Sequence, residues 1–600
     1  MAKRYLVTGK SGESRVLLLG VRESTSERGL IMGKVDFWWA EPERKIMRNT
    51  LPFNTQKPIY IESPKNGHES FQLVVSGGQS GIEVLSLTLD GDLQGGDGAT
   101  ISNDNVEFRY AYYHSIMNAS GLPEMLPDAL PPLDAPLAVA AGENQPLWIT
   151  VKVPTEATAG EYTGTLLLCR NDGENEKDSV IPFTVKVWDF ALPEYNQHGT
   201  FFELTANHIW SYHNVPTSIT DAVAKRRQIL EMYWERYSAS RISPRITAPL
   251  DLPRPNWIVS GVTFLAGALE AYADELLQVM DKYKFTHFRP ESGYNYGRSL
   301  LTALRGSRGD PFGEGNDPPP AGIDINIGWV QESVSPNRYF QEGDPEYETM
   351  MESILTQYET ILRNNGLLDK AVFFWFDEPT IAEYPHVARQ SRRIQNYAPG
   401  FKRFLTKQPA AQLLTALDNA DTLIDIWAPV PQYYDTMQGE FETLRGEGAQ
   451  TWWYGSLLEI NRPGTAMRVV FWQAFQRGVT GTIRWTTNWW SGNVYENPGS
   501  GNDILIYPPL KGATPGGNNG DPIIEPPVSS IRWEMIRAGI QDIEMLYMLQ
   551  DKKAERPDLA EQIDALLEIP ADITSSLDKW TDVPAPMNEH RRQVALMLEQ

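Results

Sequence analysis

The chain has 600 residues, 41% of them apolar and 22% charged, too long for one ordinary core and too apolar for disorder, so two or three domains are expected. A formal charge of −24 repels phosphate backbones and anionic lipid surfaces, which argues against nucleic acid and membrane insertion. Eighteen Trp and 25 Tyr, gathered late in the chain, exceed what such a core needs and suit a cleft that stacks flat partners such as sugars.

Residues 1–32 read as an N-terminal extension. Its apolar runs are shorter than a signal-peptide core, so the chain as written reads as cytoplasmic, or as secreted or periplasmic if a leader has been removed. "TGKS", Thr8 to Ser11, lacks the earlier glycine of a phosphate loop and reads as a plain loop.

From 33 to 195, short alternating runs such as "ESFQLVV", "NVEFRYAYYHSI", "GEYTGTLLLC" and "SVIPFTVKVWDF" are punctuated by Gly, Pro and Asn, the pattern of an antiparallel β-sandwich. In "PLWITVKV", Leu147, Ile149, Val151 and Val153 share one face, as in a half-buried strand. "SGLPEMLPDALPPLDAPL" is too rich in proline for a strand interior and reads as a long connection. Cys169, the one cysteine, cannot form an intramolecular disulfide and reads as a small core residue.

Near residue 196 strand-like pieces begin to alternate with longer helical ones, which predicts a (β/α)8 barrel of the TIM type over 196–550, followed by C-terminal helices over 551–600. The clearest unit starts at Asp344 with Pro345 at the first helical position, and carries an apolar stripe through Tyr347, Met350, Met351, Ile354, Leu355, Tyr358, Ile361 and Leu362. Asn365 and Gly366 stop that helix, and "AVFFWF" then runs as a strand apolar on both faces. Residues 306–328 suit neither a helix nor a central strand and are long for a connector, the kind of loop that serves as a lid or site wall or else is mobile.

Asp377 and Glu378 come directly after that strand. In β/α barrels the active site forms at the carboxyl ends of the strands, so the pair has a functional address and is the candidate catalytic pair. The competing reading makes Asp377 the N-cap of the next helix. Two features favour chemistry: an apolar barrel mouth able to raise a carboxyl pKa, and later strand ends crowded with Trp427, Tyr433, Tyr434, Trp452, Trp453, Tyr454, Trp485, Asn488, Trp489 and Trp490. In "WWY", Trp452 and Tyr454 share one face and Trp453 takes the other. His208 and His213 read as structural, and no zinc, calcium or nucleophile-elbow motif is present in the sequence.

"FWFDEP", "WWYGSLLEINRPGTAMRVVFWQAFQRGVTGTIRWTTNWW", "SSIRWEMIRAGIQDIEML" and the sandwich motifs "ESFQLVV" and "GENQPLWITVKVPTEATAGEYTGTL" resemble glycoside hydrolase family 123, the β-N-acetylgalactosaminidases, over residues 35–550. The resemblance implies a sandwich followed by a barrel, no cofactor, a glycan or glycolipid substrate ending in N-acetylhexosamine, and a retaining mechanism in which the substrate's own 2-acetamido group attacks. Carried over, Glu378 is the general acid and later the base, and Asp377 stabilises the oxazolinium intermediate. Tyr454, with Tyr434 as fallback, orients the acetamido oxygen; Trp485 and Trp490 stack on the sugar; Asn488 and His287 bond ring hydroxyls; Asn207 and Arg241, near the ends of the first two barrel strands, are further candidates. Against the resemblance, Ala538 and Gln541 stand where relatives tend to be more acidic, and residues 306–328 and 508–526 look like elaborations able to reshape the pocket. Alternatives are a hydrolase of another hexosaminide or a neutral hexoside, with Glu203 as separate nucleophile, and a non-catalytic carbohydrate-binding protein, as monomer or homodimer.

Overall fold

The computed structural model describes residues 5–8, 14–17 and 36–600, apart from 56, 119, 135, 174, 216–220, 245–255, 259–260, 264–265, 290–344, 418–422, 456–457 and 517–519. The segment 306–328 and most of the N-terminal extension, with the loop of "TGKS", therefore lie outside the described residues.

The N-terminal half is two facing sheets. Its principal strands are β1 (Phe37–Ala40), β2 (Ile59–Lys65), β3 (Gly67–Ser76), β4 (Ile82–Leu89), β5 (Val106–Tyr110), β6 (Leu137–Val139), β7 (Asn144–Val153), β8 (Gly160–Asn171) and β9 (Glu176–Ala191). One sheet runs β1-β3-β7-β5, the other β6-β4-β8-β9-β2, with only the β9–β2 pairing parallel. Leu147, Ile149, Val151 and Val153 enter the core between the sheets, beside Phe71, Leu73, Leu166 and Phe183. The opposite face of β7 is buried too, because Trp148 and Thr150 turn toward the second half of the chain.

Three local expectations need correction. "NVEFRYAYYHSI" is two strands, since Tyr113–Met117 leaves the β5 sheet and pairs with Pro123–Pro127. The proline-rich stretch thus supplies a strand, its two prolines terminating a two-stranded ribbon where a missing N–H is tolerated. Cys169 points away from the core that holds Leu166 and Leu168, is partly exposed, and lies opposite Asp178.

The second half is a curled parallel sheet covered by helices. Six strands are arranged in the order β10 (Gly199–Phe202), β15 (Gly481–Arg484), β14 (Gln450–Tyr454), β13 (Ile426–Trp427), β12 (Lys402–Leu405), β11 (Val372–Phe376). Beyond β10, Phe202 N–H donates to Ser243 O at 3.0 Å and bridges Pro244 in parallel; beyond β11, Phe288 bridges Ala371 in parallel. Thr286 N–H reaches Ser243 Oγ at 2.9 Å. The helix before β11 is Pro345–Asn364, and Gly366, at φ 66°, adopts the left-handed stop that only glycine takes cheaply.

Inside the curl, Phe201, Val372, Phe374, Phe404, Ile426, Ala428, Trp452 and Ile483 form one cluster. Their neighbours Phe202, Phe373, Leu405, Trp427 and Trp453 face the helices. Two glycines make room for the indole of Trp452: a Cβ on Gly199 or Gly481 would lie 2.3 Å from it.

A 25-residue helix, Ile531–Glu555, joins the two halves; Ser530 caps it by accepting Trp533 N–H. Arg532 pairs with Asp128, Arg537 with Glu534, and Gln541 meets the peptide of His68 at 2.7 and 2.9 Å. The amide reads both N–H and C=O of His68, which an acid could not do, so the glutamine at this place has a structural reason. Two helices, Ala560–Leu567 and Ala585–Leu598, close the chain as expected, with a small hairpin, Thr574–Ser576 and Lys579–Trp580, between them. Among the described residues no helix is long and apolar enough to cross a membrane.

Candidate active site

The end of β11 departs from regular alternation. Pairing to β12 slips between Phe374 and Phe376, so that Phe374 opposes Phe404 and Phe376 opposes Leu405. Phe374 points into the curl whereas Phe376 packs outward, with a T-shaped contact to His386. A bulge of this kind re-aims the side chains beyond it. Regular alternation would have sent Asp377 toward the helices; the slip puts it on the inner side.

The neighbouring strand supplies the partner. After Phe404 (inward) and Leu405 (outward) comes Thr406, 3% exposed, whose hydroxyl donates to Asp377 Oδ1 at 3.0 Å. The oxygen of that hydroxyl accepts Glu378 N–H at 2.7 Å. Glu378 itself has φ 46°, a left-handed conformation that is strained for a non-glycine residue and clusters at functional sites. The turn leaves Glu378 exposed rather than enclosed in an apolar mouth.

Neither acid caps the next helix. That position belongs to Thr380, whose N–H and hydroxyl both donate to Glu383 Oε2, at 2.6 and 2.7 Å. The alternative reading of the pair as a helix start therefore fails on local geometry.

Glu378 lines a cleft of about 700 Å³ together with Gln432, Tyr454, Arg462, Arg484 and Trp485. Burial pulls Arg484 down to about 10, so it stays cationic near neutrality beside Asp503, 3.2 Å away. The cleft is also lined by Val430, Val470 and Gln473 and by Leu577, Asp578 and Trp580 of the C-terminal hairpin, a part of its wall termed the outer arm. Among the described residues no group of three His, Cys, Asp or Glu is placed to hold a metal ion.

Of the aromatic and polar candidates, Tyr454 and Trp485 share the cleft with Glu378. Trp453 also borders it, but from the helix-facing side, 1% exposed. Trp427 and Tyr434 do not face the cleft: both sit in the layer between strands and helices, Tyr434 stacked on Phe441 at 4.1 Å. Trp490 is 3% exposed, donates to Ile506 O and packs on Tyr212. Asn488 is fully buried and clips the peptide of Thr205, accepting its N–H at 2.7 Å and donating to its C=O at 3.0 Å. Trp427, Tyr434, Trp490 and Asn488 are thus buried among neighbouring elements.

Asn207 is exposed in the first turn of the helix Ala206–Tyr212 after β10. His287 lies inside the curl, edge-on to Trp452 at 4.9 Å, and burial pulls its imidazole down to about 3. Arg241 precedes its strand segment rather than coming after it: its guanidinium donates to Pro193 O, Asn196 Oδ1 and Asn66 O, clamping the linker between the two halves. His213 bonds Ile523 O and Tyr233 and is structural.

Thr406 and Gln432 were not anticipated, whereas Trp489 was among the strand-end aromatics. Thr406 stands after "KRFL" as the acids stand after "VFFWF", and that shared strand-end position was the available signal. Trp489, 49% exposed, stacks obliquely on His208 at 4.8 Å and Trp485 at 5.2 Å.

Comparison with known proteins bears on both halves of the chain. Residues 325–549 match the family model "Glycoside hydrolase 123, catalytic domain", and residues 47–170 match "Glycoside hydrolase 123 N-terminal domain". Among solved structures, a family 123 glycoside hydrolase from Clostridium perfringens, studied for glycolipid glycan hydrolysis, superposes with a TM-score of 0.63 at 15% identity, over 94% of this chain and 96% of that one. Weaker likenesses bear no argument: a mutant of Bacteroides uniformis β-glucuronidase 2 (TM-score 0.25, 9% identity, 79% of this chain and 48% of that one), and the CooA pilin subunit of enterotoxigenic Escherichia coli (0.16, 12%, 26% and 99%). No curated protein sequence matches. With family models matched in both halves and a solved family member superposing along most of the chain, the chain belongs to glycoside hydrolase family 123.

Proposed function

We propose that this glycoside hydrolase is an exo-acting retaining enzyme that releases terminal β-linked N-acetylgalactosamine by substrate-assisted catalysis. The observation that carries the reading is the adjacency of Asp377 and Glu378 at one strand end, tied through Thr406. In the common two-carboxylate scheme the nucleophile and the acid flank the scissile bond from different positions, about 5 Å apart. Consecutive residues approach from one side, which suits a reaction in which the sugar's acetamido oxygen attacks from the other. Glu378 protonates the leaving oxygen and then activates water. Asp377 holds the acetamido N–H as positive charge develops.

Tyr454 and Trp485 line the cleft where the acetamido group and the apolar sugar face would lie. The outer arm then receives the leaving-group side of a glycan or glycolipid. For the scaffold, we read the six-stranded sheet with the segments 242–244 and 285–288 as eight parallel positions of a (β/α)8 barrel, a reading supported by the bridges to Pro244 and Ala371.

The test is chromophore release from aryl β-N-acetylgalactosaminide and β-N-acetylglucosaminide by the native protein, Glu378→Gln and Asp377→Asn. The galacto substrate is turned over faster, and each substitution lowers kcat by about 10²- to 10⁴-fold. Faster turnover of an aryl 2-hydroxy glycoside would instead point to a separate nucleophile, and sugar binding with no turnover of either aryl substrate to a non-catalytic protein.

A further inference from the structure

We infer that Thr406 is a positioning residue for the acid pair: one hydroxyl sets both the carboxylate of Asp377 and the backbone turn that presents Glu378. The inference rests on the proposed function, in which that pair performs the chemistry. It starts from how the hydroxyl is used. Thr406 is buried at the end of β12, and its oxygen accepts the N–H of Glu378 at 2.7 Å while its hydrogen goes to Asp377 Oδ1 at 3.0 Å. A hydroxyl has a single hydrogen to donate, so this donor is committed to the carboxylate.

Two departures from regular strand geometry meet at the same place. The slipped pairing between Phe374 and Phe376 brings Asp377 to the inner side, and Glu378 then bends back at φ 46°. A bulge followed by a left-handed residue departs from the regular ladder, so a fixed point outside β11 helps to hold them. Thr406, one strand away, is that point. Hydrogen bonds to charged groups are stronger and more directional than neutral ones, so the Oδ1 contact fixes the plane of the carboxylate as well as its place. The predicted consequence is catalytic: misplacement by an ångström lowers the rate of a positioned reaction far more than it lowers affinity.

Thr406→Val keeps the shape and removes the hydroxyl, whereas Thr406→Ser keeps the hydroxyl. Steady-state kinetics of the full-length protein on the aryl glycoside it cleaves are measured beside Asp377→Asn and Glu378→Gln, with thermal unfolding as a check on folding. Thr406→Val is expected to lose about 10- to 100-fold in kcat with KM within about threefold, and Thr406→Ser to stay within about threefold of native in both. If valine crowds the strand end and the variant unfolds early, Thr406→Ala against Thr406→Ser gives the same comparison. Native kcat in Thr406→Val, or equal losses in the serine and valine variants, would overturn the inference while leaving the acid pair's role intact. Native rates in both Asp377→Asn and Glu378→Gln would instead overturn the underlying reading, and the positioning role with it.

Discussion

Replacing Arg532 with methionine tests whether the two halves of the molecule are locked through charge. Its guanidinium is fully buried; Nε and Nη2 donate to the two oxygens of Asp128 at 2.8 and 2.6 Å, and the remaining hydrogens reach the carbonyls of Leu458, Gly501 and Ile504. Burial alone would raise the Asp128 carboxyl, but Arg532 and Lys45 hold it below the ordinary carboxylate range. Removing the cation strands a carboxylate that is itself 0% exposed. Breaking such a pair costs about 3–5 kcal/mol, and the orphaned carbonyls add roughly 1 kcal/mol each where water cannot reach them. Arg532→Met should therefore lose at least about 4 kcal/mol, measured from the urea midpoint by tryptophan fluorescence.

The pair itself is not what makes the fold stable relative to an apolar one, so Asp128→Leu with Arg532→Met should recover more than half of the loss. Lys45, pulled down to about 7 by burial, can shed its proton and is not stranded in the double variant. A single-variant loss below about 1 kcal/mol, or a double variant no better than the two singles combined, would refute the charge-compensation account.

Other contacts give three further outcomes. His114, His198 and His213 are all 0% exposed, and burial pulls them from 6.5 to about 4, 3 and 4, so the unfolded chain protonates first as pH falls. The stability they contribute is complete above 6.5 and is lost toward pH 4, at roughly 3–4 kcal/mol per pH unit near pH 5; urea midpoints at about pH 7 and pH 5 that coincide would refute it. Gly481→Ala places a Cβ 2.3 Å from the Trp452 indole and should cost about 3 kcal/mol in thermal or urea unfolding, partly restored by Trp452→Phe. Gln541→Glu sets a carboxylate oxygen against the His68 carbonyl in place of a donor, and should cost about 1–3 kcal/mol in urea unfolding at about pH 8.

The strand-then-helix rhythm of the second half, and the acids at a strand end, were legible because local chemistry writes them: an all-apolar hexamer, a proline, a left-handed Asn-Gly stop. The aromatic assignments were not, because a parallel strand is buried on both faces and alternation says only which residues share a face. Trp452 and Tyr454 turned inward and Trp453 outward, and no periodicity distinguishes that from its reverse. Arg241 was misplaced for a related reason: a strand of two or three residues has no visible direction of approach, and the residue lies before it. The bulge at β11 was equally hidden, since it depends on pairing with β12 and not on any residue of its own.

The helix Ile531–Glu555 shows why a family-specific motif need not be catalytic. Arg532, Glu534, Arg537, Gln541, Asp542 and Glu544 are all buried on it, a polar load no amphipathic surface helix would carry. Their partners beyond the helix are Asp128, Arg109, Ser70 and His68 from the sandwich, Arg468 from the helix Gly464–Gln476, and the peptides of Gln197 and His198 where β10 begins. Because Arg532 also holds the carbonyls of Leu458, Gly501 and Ile504, in the loops after β14 and β15, the grip extends to the rim of the cleft. The β7 face turned to this helix is buried, so on that side the sandwich acts as a buttress and offers no glycan surface. Loosening the junction should then lower turnover in protein that is still folded, which makes activity in Arg532→Met below its unfolding midpoint the sharper measure of how far the sandwich governs the active site.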